Sequence, residues 1–287
     1  MHVDVNGARL WFDVDGSALV RDGSSMRQRP AVVLVHGGPG VWDHSYFKPD
    51  FAPLAEHAQI VYLDLRGHGR SDWGNAAGWS FDACADDIRG FCDAIGIAHP
   101  VVLGHSMGGP IVLLYGARHP GHAGGLILLS GFARFDVPRL VEGFRRVAGE
   151  DVAEIAGRSF RGEEVRDEEW QRVSAAYGPY VPDEDQRARP LKNLELNAPG
   201  MEVVLRTGIV HQLAAITSPT LVAVGELDPV TPVAAAEEIV AALPAGLAQL
   251  EIISGAGHWA WKDVPERFWP MIVAFIQSTT RREAVEA

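Results

Sequence analysis

The chain has 287 residues, 47% hydrophobic and 22% charged, with a formal net charge of −12. Such a length supports a large core in one domain with an insertion, or in two domains, while the acidic balance argues against nucleic acid, whose phosphates select basic surfaces, and against an anionic membrane surface. No apolar run approaches the ~20 residues needed to cross a bilayer, and Met1-His2-Val3-Asp4-Val5 has no apolar signal core, so a cytoplasmic protein without a membrane or nucleic-acid partner is expected.

Residues 2–5 and 9–14 flank Asn6-Gly7, a strong hairpin signal. Residues 16–30 are polar and read as a loop. Val32-Val33-Leu34-Val35 is an apolar strand that runs into His36-Gly37-Gly38-Pro39-Gly40. Ile60-Val61-Tyr62-Leu63-Asp64 is a second, followed by Arg66-Gly67-His68-Gly69-Arg70-Ser71. Between residues 79 and 97 apolar positions recur at helical spacing (Phe81, Ala85, Ile88, Cys92, Ile95), with Ser80 as the N-cap. Cys84 and Cys92 then lie two turns, roughly 12 Å, apart, too far for a disulfide. Idle thiols in a reducing compartment are expected. Asp86-Asp87 are expected on the solvated face of that helix.

Pro100-Val101-Val102-Leu103 is the next strand, and an apolar helix begins at Met107. Gly125-Leu126-Ile127-Leu128-Leu129 is another buried strand. Runs apolar at every position suit a parallel sheet covered on both faces. The alternation stops after Gly131. Residues 132–216 show no clear strand, and residues 137–148 and 151–160 look helical. Strand and helix alternate again from Thr220 onward.

The turn between the Val101 strand and its helix reads Gly104-His105-Ser106-Met107-Gly108, a G-x-S-x-G at a strand–turn–helix junction. Glycines let the backbone double back and expose the serine hydroxyl. Free serine is a weak nucleophile, so a base and an acid are required. Asp228 follows the apolar Leu221-Val222-Ala223-Val224, and His258 follows Leu250-Glu251-Ile252-Ile253. Both lie just past the carboxyl end of a predicted strand, the edge where open α/β sheets build sites. In the catalytic reading Ser106 attacks a carbonyl, His258 moves the proton and Asp228 holds the imidazole. The Met107 N–H, at a helix start, is a candidate oxyanion donor. The bland readings are a turn serine, a turn aspartate before Pro229 and a structural histidine; Asp136 is the alternative acid. His119 and His122 have no partners completing a metal set, and neither a metal nor an organic cofactor is required.

At these residues the chain resembles the α/β-hydrolase superfamily, in its serine-triad branch. The His36–Gly40 loop, the Asp64–Ser71 turn, the elbow, Asp228 and His258 occur in the family's order. The resemblance implies a mostly parallel eight-stranded sheet flanked by helices. It further implies a core of residues 1–131 and 217–287 with a helical cap of residues 132–216. It points to Gly38 as the second oxyanion donor. Trp42, His105, Phe144, Trp170, Tyr177 and Trp259 are the candidate pocket residues, although packing of the cap's own core explains its aromatics equally well. His36 and His68 are expected to fasten their loops by hydrogen bonds.

The form Gly-His-Ser-Met-Gly-Gly is similar to that of esterases and lactonases, so the leading expectation is hydrolysis of a small ester or lactone through an acyl-enzyme. His36-Gly37-Gly38-Pro39-Gly40 is also similar to the proline iminopeptidase loop. Leu65, His105 and Met107 depart from that family's pattern, and an aminopeptidase needs carboxylates for the substrate ammonium, for which Glu163, Glu164, Glu168, Glu169 and Glu195 are candidates. Epoxide hydrolases and haloalkane dehalogenases share His-Gly-x-Pro but use aspartate where Ser106 stands. Carbon–carbon bond hydrolysis and a triad-bearing small-molecule receptor remain alternatives. The partner is thus a small ester, lactone or amide, and the protein a monomer or homodimer.

Overall fold

The computed structural model describes residues 1–286, with side chains through Thr279. Strands β1 (His2–Val5) and β2 (Ala8–Asp15) pair as a hairpin, turning at Asn6 (φ 48°) and Gly7 (φ 77°), the pair of left-handed residues that a type I′ turn demands. The stretch expected to be a loop instead forms a separate hairpin, β3 (Leu19–Asp22) with β4 (Ser25–Gln28). Its residues are nearly all exposed, so no alternation of apolar and polar residues marked it.

The sheet continues with β5 (Ala31–Val35) and β6 (Gln59–Leu63), then helix α1 (Phe81–Ile95), β7 (Val101–His105), α2 (Gly108–Arg118) and β8 (Gly125–Leu129). Five helices follow: α3 (Val137–Ala148), α4 (Glu150–Phe160), α5 (Asp167–Ala175), α6 (Glu184–Ala188) and α7 (Leu194–Leu205). The sheet resumes at β9 (Thr220–Gly225), α8 (Val233–Ala242) and β10 (Ala248–Ile253). The chain ends in α9 (Ala260–Asp263) and α10 (Pro265–Glu286).

Eight strands form one sheet in the order β1-β2-β6-β5-β7-β8-β9-β10, antiparallel at β1–β2 and β2–β6 and parallel thereafter. β6 lies on one flank of β5 and β7 on the other, so the strand order reverses there and the carboxyl ends of the strands open a crevice. Successive strand residues point to opposite faces. Val33, Val35, Leu63, Val102, Leu128 and Val222 pack on one face with α1, α2 and α8. Val32, Leu34, Tyr62, Leu103, Ile127 and Leu221 pack on the other with Phe47, Phe51, Trp261 and α10. Each aliphatic side chain so buried contributes about 1.5–3 kcal/mol, which is why the central strands are apolar at every position.

Helix α1 begins where Ser80 accepts the Ala83 N–H at 3.2 Å, leaving Cys84 and Cys92 buried as free thiols. Burial pushes the Cys92 thiol up to about 12, which removes the reactive thiolate. Asp86 meets Arg118 and His119 at the surface. Asp87 departs from the expected solvated face: it is 1% exposed and accepts from Arg66 Nε (2.5 Å), Arg66 Nη2 (2.6 Å) and Asn6 Nδ2 (3.1 Å). It therefore joins α1, the first hairpin turn and the loop after β6.

The segment between β8 and β9 adds no strand to the sheet. Its contacts include a core of its own: Leu140, Phe144, Val152, Ile155 and Val173, closed by Val230. Helix α5 starts within the charged residues 161–172, where Glu169 accepts the Arg166 N–H at 2.9 Å and three acidic residues occupy the first turn, favourable against the helix dipole. Helix α7 contains Pro199, which masked it as a helix in sequence.

Replacing Asp87 with alanine leaves the Arg66 guanidinium and Asn6 without their shared acceptor. A loss of about 3 kcal/mol of folding stability is expected, read from the urea midpoint at an unchanged slope.

Candidate active site

The elbow is built from backbone contacts. Ser106 takes φ 55°, a left-handed conformation costing a non-glycine residue about 1–3 kcal/mol. Neighbouring main chain holds it there: the Ser106 N–H donates to Leu129 O at 3.0 Å, and its carbonyl accepts the Gly109 N–H at 2.9 Å. A Cβ on Gly104 would collide with the Gly108 carbonyl, and one on Gly108 with the Val35 carbonyl. The start of α2 can therefore seat directly on the end of β5 only with glycine at these positions. Ser106 is partly exposed. Met107 stands at the N-cap of α2, where the first N–H groups have no partner within the helix.

Asp228 is fully buried beyond the end of β9. Its Oδ1 accepts the N–H groups of Val230 (2.9 Å) and Thr231 (3.0 Å), and its Oδ2 accepts the Thr231 hydroxyl (2.8 Å) and His258 Nδ1 (2.8 Å). Burial alone would raise this carboxyl, but the facing imidazole and these hydrogen bonds hold it below the usual carboxylate range. A carboxylate only accepts, so His258 Nδ1 carries the proton of this bond and Nε2 faces away from Asp228. The His258 N–H donates to the Tyr177 carbonyl at 2.8 Å, and its own carbonyl accepts from His105 Nε2 at 2.8 Å. Since His105 is the residue before Ser106, that bond ties the loop after β10 to the elbow. The Tyr177 ring meets His258 edge-on at 5.5 Å and stacks on Trp259 at 5.6 Å.

The loop after β5 lies against Ser106. A Cβ on Gly37 would stand 2.9 Å from Ser106 Cβ and 3.5 Å from its Oγ. Two buried histidines fasten this loop. His36 Nδ1 donates to the Gly37 carbonyl (3.0 Å) and Nε2 accepts the Leu65 N–H (3.2 Å). His68 Nδ1 donates to the Arg66 carbonyl and Nε2 accepts the Gly40 N–H, both at 3.0 Å. Burial lowers both imidazoles, His68 to about 3, so each stays neutral and uses both nitrogens. The helical segment reaches the same loop: the Asn193 N–H donates to the Gly40 carbonyl at 2.8 Å and Asn197 Nδ2 to the Pro39 carbonyl at 3.0 Å. Gly40 has φ 70°, and a Cβ there would strike the Asn193 carbonyl.

The six residues read from sequence as pocket candidates fall in different places. Trp42 packs against Gly38, and with Trp259, Tyr46, Tyr180 and Trp261 it lines a shallow open cleft beside the site. Tyr177 lies against His258. His105 is 2% exposed, beneath the site, with both ring nitrogens hydrogen-bonded. Phe144 is fully buried in the core of the helical segment, which matches the packing reading for its side chain. Trp170 is 40% exposed and contacts the rings of Phe160 and Tyr177. Asp136 caps α3 through the Arg139 N–H (3.0 Å). Tyr46, Asn193 and Asn197 carry no sequence signal, since nothing local marks a residue whose partner is tens of positions away; Thr231 lies three residues from its partner Asp228 but belongs to no motif.

Asp43, His44 and Asp64 bring ligand-type atoms within 4.8 Å of one another. Asp64 accepts His44 N, His44 Nδ1 and Arg70 N, and Asp43 accepts Ser45 N and Leu191 N. With their carboxylate oxygens so engaged, these three residues knot loops together.

The family model for the alpha/beta hydrolase fold matches residues 30–263. The chain is 27% identical over 259 residues to a 2-hydroxy-6-oxononadienedioate/2-hydroxy-6-oxononatrienedioate hydrolase of Dechloromonas aromatica (strain RCB), covering 85% of this chain and 86% of that one. Its structure superposes on the proline iminopeptidase of Mycobacterium smegmatis with a TM-score of 0.78 at 20% identity, covering 97% and 98% of the two chains. It superposes on the enol-lactonase of Burkholderia xenovorans LB400 with a TM-score of 0.69 at 23% identity, covering 96% and 100%. Identities this low speak for a common fold only, but with the family match spanning most of the chain they identify this protein as a member of the alpha/beta hydrolase family.

Proposed function

We propose that the protein is a serine hydrolase of small carboxylic esters or lactones, working through Ser106, His258 and Asp228. The observation that carries this reading is the buried Asp228 bonded to His258 Nδ1 at 2.8 Å, on a loop whose His258 carbonyl is tied at 2.8 Å to His105, the residue before the elbow serine. Ser106 Oγ attacks the substrate carbonyl while His258 Nε2 takes its proton. The carbonyl oxygen becomes an oxyanion held by the N–H groups of Met107 and Gly38, each such donor being worth about 2.7–4 kcal/mol at the transition state. Collapse breaks the bond to the alkoxide, which leaves with the proton from His258, and an ester to Ser106 remains. Water, deprotonated by the same nitrogen, then releases the acid. Asp228 stays ionised and offsets the charge on the imidazolium.

Residues 132–216 serve as the cap in this reading, with Tyr177, Asn193 and Asn197 anchoring it to the rim. Removal of an N-terminal proline is disfavoured because Glu163 and Glu169 are already paired with arginines and are poorly placed to hold a substrate ammonium. Hydrolysis of a 2-hydroxy-6-oxo dienedioate is the second reading, favoured by the relative named as a hydrolase of 2-hydroxy-6-oxononadienedioate.

Ser106→Ala is expected to lower kcat by about 10³-fold or more with normal folding, measured on p-nitrophenyl esters of graded chain length, a lactone and a proline arylamide. A preference for the arylamide overturns the ester reading, and binding with negligible turnover indicates a receptor. Asp228→Asn is expected to reduce kcat by about 10⁴-fold. The Asp228 carboxyl is depressed in the folded protein, so its stabilising contribution is complete above the unfolded carboxylate pKa of ~3.9 and is lost as pH falls through the folded value. The wild-type advantage in melting temperature over Asp228→Asn should therefore shrink from about pH 5 to about pH 3.

A further inference from the structure

We infer that Tyr46 is a positioning residue that joins the loop carrying the Gly38 donor, the nucleophile turn and the backbone of the base into one hydrogen-bonded chain. This rests on the serine-hydrolase reading and assigns a role to a side chain that does not itself touch the reacting atoms. Tyr46 ends the short 3-10 turn His44–Tyr46, which Asp43 caps through the Ser45 N–H at 2.8 Å. Its ring stacks on Phe47 at 4.4 Å and lies 5.5 Å from the Trp42 ring.

The direction of every bond in the chain is determined. The His258 carbonyl only accepts, so His105 Nε2, 2.8 Å away, carries the proton. In a neutral ring Nδ1 is then the acceptor, and the group facing it at 2.8 Å is the Tyr46 hydroxyl. That hydroxyl spends its proton on His105 and has lone pairs left, and the Gly37 N–H donates to one of them at 3.0 Å. The chain runs from Gly37 N–H to Tyr46 Oη–H to His105 Nδ1, and from His105 Nε2–H to the His258 carbonyl. Burial holds His105 well below the ordinary histidine range, so the acceptor nitrogen persists.

Gly37 is bonded to Gly38, and His105 to Ser106. Without the Tyr46 oxygen, the Gly37 N–H and His105 Nδ1 lose their partners, and the Gly37–Gly38 peptide is free to turn. The Gly38 N–H then meets the oxyanion at a poorer angle. Because that donor acts on charge that exists only in the transition state, the loss falls on kcat rather than KM.

The test uses the full-length protein and the p-nitrophenyl ester it turns over best. Tyr46→Phe is expected to lower kcat about 100-fold with KM within about twofold. Its affinity for an aryl boronic acid, which forms a tetrahedral adduct on the serine, should weaken by a similar factor. His105→Gln keeps one acceptor and one donor and should retain more activity than His105→Leu. Tyr46→Phe added to His105→Leu should cost little further, since both break one chain. A folded Tyr46→Phe protein with kcat within about threefold of wild type, or with the defect confined to KM, overturns the inference. Should Tyr46→Phe not fold, nitrogen NMR of the wild-type histidines decides: a His105 proton on Nε2 supports the chain and one on Nδ1 overturns it. Failure of the hydrolase reading looks different, since wild-type protein would then show no turnover, or Ser106→Ala would leave it unchanged, while the His105 tautomer still reports on the chain.

Discussion

Main chain packs against main chain along the carboxyl edge of the sheet, and the rest of the site depends on the missing Cβ atoms there. Gly104 and Gly108 let α2 begin against the end of β5. Gly225, Gly257 and Gly178 stack the exits of β9 and β10 beneath the helical segment, each too close to its neighbour's backbone for a side chain. Side chains from distant strands can face one another over hydrogen-bond distances only because their backbones are already in contact. The strain at Ser106 is borne by the same packing, which leaves the residue no room to relax.

The buried polar groups at this edge follow one rule. The imidazoles of His36, His68 and His105 are neutral, and each spends both nitrogens on fixed partners. A charged imidazole there would cost solvation that no facing group repays. Asp228 keeps its charge because four donors converge on it. In the proposed mechanism His258 differs from these three in keeping a ring nitrogen for chemistry, its Nδ1 being held by Asp228.

The helical segment grips the edge at several loops. It reaches the loop after β5 through Asn193, Asn197 and the contact of Gly200 with Pro39, the loop after β9 through Gly143 against Pro229, and the loop after β10 through Tyr177. A change in this segment therefore reaches the loops after β5, β9 and β10 alike. If it is the cap, substrate choice and catalytic geometry are coupled, because the wall that selects the substrate also braces the loop that stabilises its oxyanion.

Local sequence determined the parallel sheet, the hairpin at Asn6-Gly7, the capped helix at Ser80 and the strand ends that carry Ser106, Asp228 and His258. Each of these rests on side-chain alternation or turn chemistry within about ten residues, which a chain encodes without reference to its fold. Tertiary structure alone decided the burial of Asp87 against Asn6 and Arg66, the interior place of Phe144, and the Tyr46–His105–His258 chain. Those depend on partners up to 153 positions apart, and a hydrogen bond between such residues leaves no periodic trace. It exists only when packing has brought two backbones close enough for one donor and one acceptor to have no better partner.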